Sequence, residues 1–236
     1  MGLIFTNLIY SLVFFILTTK ELITDKYDHD IDQFMNFGSR LLHGELIWTA
    51  EFDDKSPIVQ YIFSLPAIFK STSIFVIITL IISFIAGYMG YLMLKDMLQN
   101  SGLEINKKAE KSILYFGIIL YLTLLVCIYG SLHHINAISS SLCLITIALA
   151  YFNKKQNNNF LTNISAITSA ISISIRPYYL LNIIVLPIWL IIRENFKVNK
   201  KEGKIIKNYH EYIKIQLTWI VMVTLYIILL NKFFFK

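Results

Sequence analysis

The chain is poor in charge and in cysteine, and each shortage removes a class of answers. Charged side chains make up 15% of its 236 residues, against roughly 25% in an average soluble domain, which argues against a disordered, solvating chain. Two cysteines, Cys127 and Cys143, are too few for a disulfide scaffold, and neither stands in a CxxC or Cys/His metal spacing. Both fall in apolar runs, where a small core residue is the ordinary reading. The glycine patterns of a dinucleotide fingerprint and of a P-loop are missing, so nothing points to a soluble nucleotide-binding domain.

What the chain has is hydrocarbon, at 56% apolar or aromatic residues. Charge-free runs occupy 1–19, 71–94, 112–153, 156–175, 177–192 and 215–231, and a spanning helix needs about 17–25 predominantly apolar residues. The run at 112–153 is too long for one crossing and divides at Gly130, Ser131, His133, His134 and Asn136. From 156 to 192 only Arg176 interrupts, followed by Pro177, which suits the first turn of a new helix. Seven spans are expected, at about 3–19, 72–94, 112–130, 135–152, 160–175, 177–192 and 215–231. Backbone polar groups in lipid must be satisfied internally, and the runs lack period-two alternation, so the predicted fold class is all-α, a single polytopic domain over 1–236. The first run has no basic leader or small-residue cleavage site before Lys20 and reads as a retained span.

The net charge of +6 is explained by its distribution. With the N-terminus inside, the inward segments 95–111, 153–159 and 193–214 hold 13 of the 21 Lys and Arg residues and 6 of the 15 acidic ones. The net charge is then +7 inward and −1 outward, the bias expected of cytoplasmic loops. Nucleic acid is not needed to account for the basic surplus. The segment Arg193–Lys214 also has the composition to meet anionic lipid head groups.

The long first outer loop, about 20–71, carries nine carboxylates: Glu21, Asp25, Asp28, Asp30, Asp32, Glu45, Glu51, Asp53 and Asp54. Within it Ile31, Phe34, Met35, Gly38, Leu41 and Leu42 recur at helical spacing, predicting an amphipathic helix on the outer membrane face. Asp28, Asp30 and Asp32 stand at its N-terminal end. Three chemistries fit them: helix capping, with Asp30 and Gln33 as a capping box; a general base ionised at neutral pH; or oxygen ligands for a divalent cation.

From Asp30 the chain reads DIDQFMNFGSRLLHGELIWTAEFDDKSPIVQYIF. This stretch resembles the first outer loop of the GT-C membrane glycosyltransferases, close to bacterial relatives of the protein mannosyltransferases and the lipid A aminoarabinose transferases. Asp30, Phe34, Gly38, Gly44, Trp48, Asp53, Lys55 and Pro57 carry the likeness. Trp48, Ala50 and Ser56 depart from it, standing where Tyr, Asp, and Gly or Pro are common. The resemblance covers about 30 residues, with Arg176-Pro177 at the outer start of a span as a further point of likeness.

It implies transfer of a sugar from a polyprenyl-phosphate donor to an acceptor hydroxyl at the extracytoplasmic face of a bacterial inner membrane. Asp30 would be the base, Asp28 and Asp32 the alternative acidic residues, and Lys55 and Arg176 the partners of the donor phosphate. Gly44, Asp53 and Pro57 would complete the loop motif. A divalent cation is the one cofactor that the acidic cluster allows. Related chains are longer, so this one is expected to correspond to their N-terminal module, with a partner subunit supplying further spans. The competing readings are a non-catalytic protein that binds polyprenyl lipid or a partner, and a small lipid or solute transporter.

Several residues also have plainer explanations. Lys55 can snorkel to the interface, and a short outer hairpin would solvate Arg176. Adjacent His133 and His134 diverge on a helix and read as turn polarity. Met89, Met93 and Met97 read as packing, and Trp48, Trp189 and Trp219 as interfacial belts. The sequon at Asn163–Ser165 falls near the inner face and is discounted.

Overall fold

The computed structural model describes residues 29–45, 57–101, 106–129, 135–156, 159–181, 184–190 and 206–234. The expected first span, at about 3–19, lies outside them. Among the described residues there is no strand, in keeping with an all-α chain. The helices are α1 (His29–Leu42), α2 (Pro57–Ile68), α3 (Thr72–Gln99), α4 (Lys107–Tyr129), α5 (Ile135–Gln156), α6 (Asn159–Ile175) and α7 (Ile206–Phe234). A 3-10 turn, Pro177–Leu180, follows α6, and residues 184–190 are again helical.

Two of these helices are long and apolar enough to cross a membrane: α3, and α5 over Ile135–Asn153. The first, α3, keeps much of its apolar surface outside the core, whereas α5 exposes no large apolar side chain among its described residues. On α3 the exposed residues Ile77, Ile81, Ile85 and Tyr88 form one stripe, and Leu217, Val221, Leu225 and Ile228 do the same on α7.

The most extensive helix pairing among the described residues joins α5 to α6, and small hydroxyl residues line it. Ser139 and Ser172 exchange hydrogen bonds, each Oγ donating to the other's carbonyl at 2.8 Å. Further along, the Thr146 and Thr168 hydroxyls meet at 2.8 Å, and Ser165 Oγ donates to the Thr146 carbonyl at 3.2 Å. Ser83 of α3 joins Ser141 of α5 at 3.1 Å. Small side chains let helix backbones approach, and their hydroxyls bridge helices where water is scarce.

Trp219 departs from the expected interfacial belt. It is 4% exposed, with Nε1–H donating to Ser165 Oγ at 3.1 Å. A buried indole needs such an acceptor, and the hydroxyl row supplies it. Ser165 and Asn163 of the discounted sequon are engaged in packing, Asn163 accepting from the Tyr226 hydroxyl at 3.4 Å. Met89 packs on a cluster formed by Ala86, Ile145 and Leu149, in line with its reading as core.

Of the segment 20–71, the described residues hold helices α1 and α2, and the apolar side of α1 is not left to lie on a membrane face as the sequence suggests: Ile31, Phe34 and Phe37 are at most 2% exposed. Phe34 meets Phe63 of α2 at 5.1 Å between ring centroids, and Phe63 stacks on Phe75 of α3 at 4.4 Å. Residues 57–68 read as loop because twelve residues cannot span a bilayer, yet an apolar stretch of that length is typical of a core helix.

Candidate functional site

Four residues of the stretch that resembles the glycosyltransferase loop, Phe34, Gly38, Gly44 and Pro57, have described places in α1, its end and α2. Gly38 sits where α1 crosses α2, and a Cβ there would stand 2.3 Å from the Phe63 carbonyl oxygen. Only a bare α-carbon fits that crossing. Gly44 ends α1 at φ +83°. Its N–H donates to the Leu41 carbonyl at 2.9 Å, and the Glu45 N–H to Arg40 at 3.0 Å, the paired bonds of a Schellman cap. Arg40 Nε closes the turn on Glu45 Oε2 at 2.9 Å, and Gln60 Nε2 donates to the Glu45 carbonyl at 2.8 Å. Pro57 is buried as the first residue of α2, where its missing N–H costs no helical bond.

This hairpin closes one end of the bundle. Phe34, Phe37, Ile58, Val59 and Phe63 form one cluster with Phe75 at the start of α3, Ile135 and Ile138 at the start of α5, and Ile175 at the end of α6. Arg176 follows Ile175 directly. It is extended, at φ −141° and ψ 105°, because Pro177 excludes the helical region for the residue before it. The Arg176 N–H closes α6 on the Ser172 carbonyl at 3.0 Å, and Nε donates to Asn136 Oδ1 at the start of α5. Arg176 forms no ion pair with any described residue, and its two Nη groups have no described hydrogen-bond acceptor. The guanidinium is thus oriented through one nitrogen, which leaves the planar fork that suits a carboxylate or phosphate.

Asp30 lies in the first turn of α1, the helix being already under way at His29. It is therefore not the residue before the helix, although a first-turn carboxylate is still favoured by the helix dipole. Its side chain is outside the described ones; Ile31 beside it is buried, and Asp32 is exposed. Asp28, Trp48, Asp53, Lys55, His133 and His134 lie outside the described residues. Among the described residues no group of three metal-ligating side chains occurs. Asn136 is the site residue that sequence reasoning passed over, reading it as turn polarity; its signal was an amide one helix away from an isolated arginine.

No protein-family model, curated protein or solved structure matches the chain.

Proposed function

We propose that the chain is a GT-C-like membrane glycosyltransferase component, with its site at the bundle end closed by α1 and α2. The observation that carries this reading is the convergence there of the helix bearing Asp30 and of Arg176, whose fork has no carboxylate partner among the described residues. In the proposed step the Asp30 carboxylate takes the proton of an acceptor hydroxyl as its oxygen bonds to the anomeric carbon. The bond from that carbon to the phosphate oxygen breaks, and the polyprenyl phosphate leaves with the electron pair. Arg176, joined by Lys55, meets the charge that grows on the phosphate.

The proposed topology has seven spans, the N-terminus cytoplasmic and the site extracytoplasmic, in a bacterial inner membrane. Three crossings that alternate in direction should begin or end together at one face, and the shared cluster of Phe75, Ile135 and Ile175 supports that arrangement.

The test is sugar transfer in membranes supplied with polyprenyl-phosphate sugars. Asp30→Asn should lower the rate by about 10²–10⁴-fold, the usual contribution of a general base. Arg176→Gln should cost about 10²-fold, as loss of an oxyanion donor does. Equal transfer by Asp30→Asn and wild type would remove the base assignment. No transfer by wild type with any donor would favour a second reading, a non-catalytic protein that binds polyprenyl lipid. One observation already points that way: Phe34, Gly38, Gly44 and Pro57 all have structural reasons for their identity.

A further inference from the structure

At the far end of α3 from the hairpin, a cavity of about 330 Å³ opens between α3, α4 and α5. Its walls are almost wholly apolar, and glycine creates the space: Gly87 and Gly90 on α3 and Gly117 on α4 all line it. The opposing surfaces are near. A Cβ on Gly87 would rest 3.5 Å from the Tyr121 ring, one on Gly90 3.3 Å from Leu144, and one on Gly117 3.0 Å from Leu94. Leu120, another wall residue, is 44% exposed, so the cavity reaches the outer surface on the α4 side. An apolar cavity of this kind stays dry and takes hydrocarbon, and a volume of about 150 Å³ already holds benzene.

The chain beside this cavity is basic. Lys95 follows the wall residue Leu94 and shares a helix face with Tyr91 and Gly87, four and eight residues before it. Lys111 and Lys107 precede the wall residue Ile118 by seven and eleven residues, again on one face. Gln99 at the end of α3 reaches Glu110 of α4 at 3.5 Å, which brings the two lysine-bearing ends together. Two carboxylates are close by, Glu110 and Asp96, the latter accepting the Tyr151 hydroxyl at 2.6 Å. Three cations therefore border a hydrocarbon-lined space, a layout matched by an amphiphile with an anionic head.

We infer that this cavity and its lysines bind one anionic phospholipid from the bilayer leaflet at that end, a tail between the helices and the phosphate at Lys95, Lys107 and Lys111. The site is separate from the hairpin end and does not depend on the glycosyl-transfer reading. Native mass spectrometry of the full chain, released from bilayers of mixed phosphatidylglycerol and phosphatidylcholine, tests it. Wild type should retain phosphatidylglycerol in preference. Lys107→Gln with Lys111→Gln should reduce that preference by about fivefold per charge, while Gly87→Leu, which fills the cavity, should lose the retained lipid of either kind. Should Gly87→Leu lose its helical circular dichroism, Leu144→Phe fills the space from α5 and reads the same way. Equal retention of both lipids by wild type, or undiminished retention by a folded cavity-filling variant, overturns the inference.

Discussion

Two residues in the left-handed region close the helices of the hairpin, and they make a matched pair. Gly44 at φ +83° caps α1, and Lys70 at φ +48° caps α2 through the same bonds, its N–H to Ala67 and the Ser71 N–H to Pro66. Left-handed backbone costs a residue with a Cβ about 1–2 kcal/mol and glycine almost nothing. Gly44→Ala should therefore lower stability by about 1 kcal/mol, and Lys70→Gly should raise it by a similar amount. Thermal or denaturant unfolding followed by circular dichroism in detergent checks both signs together. Gly44 was legible in the sequence as part of a motif, but not as a cap, because the φ of one residue depends on where its helix stops. Nothing in the sequence around Lys70 marks it as a cap.

At the scale of elements, the bundle is joined by close approach and by hydroxyl exchange. The α1–α2 crossing depends on Gly38, and Gly38→Ala should push the helices apart, costing at least the roughly 1–3 kcal/mol of an overpacked core; a lowered melting temperature is the readout. Between α5 and α6, Ser139→Ala and Ser172→Ala should each lower stability by about 0.6 kcal/mol, the average for such bonds in membrane bundles. Each hydroxyl donates to a backbone carbonyl that alanine retains, so the two losses should add in the double variant, and a double variant no less stable than either single one would mean that the bonds contribute nothing of their own. The apolar period of α1 was readable from Ile31, Phe34 and Met35, since a helix places such residues on one face. What that face meets was not readable, because the partner, α2, has too few residues to register as a span and too little charge contrast to register as amphipathic.

For the whole molecule, the proposed topology is tested by labelling from either side of the membrane. With Cys127 and Cys143 replaced by alanine, a single cysteine at Ser56 should react with a membrane-impermeant maleimide from outside, and one at Ser101 only after the membrane is opened. Labelling of both from the same side would exclude the proposed topology. The sequence by itself determined the helical class, because hydropathy acts on each segment separately and the apolar runs lack the period-two alternation of strands. Only the tertiary structure decided that α1 packs on α2, that Trp219 lies in the core, and that Asn136 orients Arg176 beside them. Each of those depends on which surfaces meet across 25 or more residues of chain, and no local pattern records that.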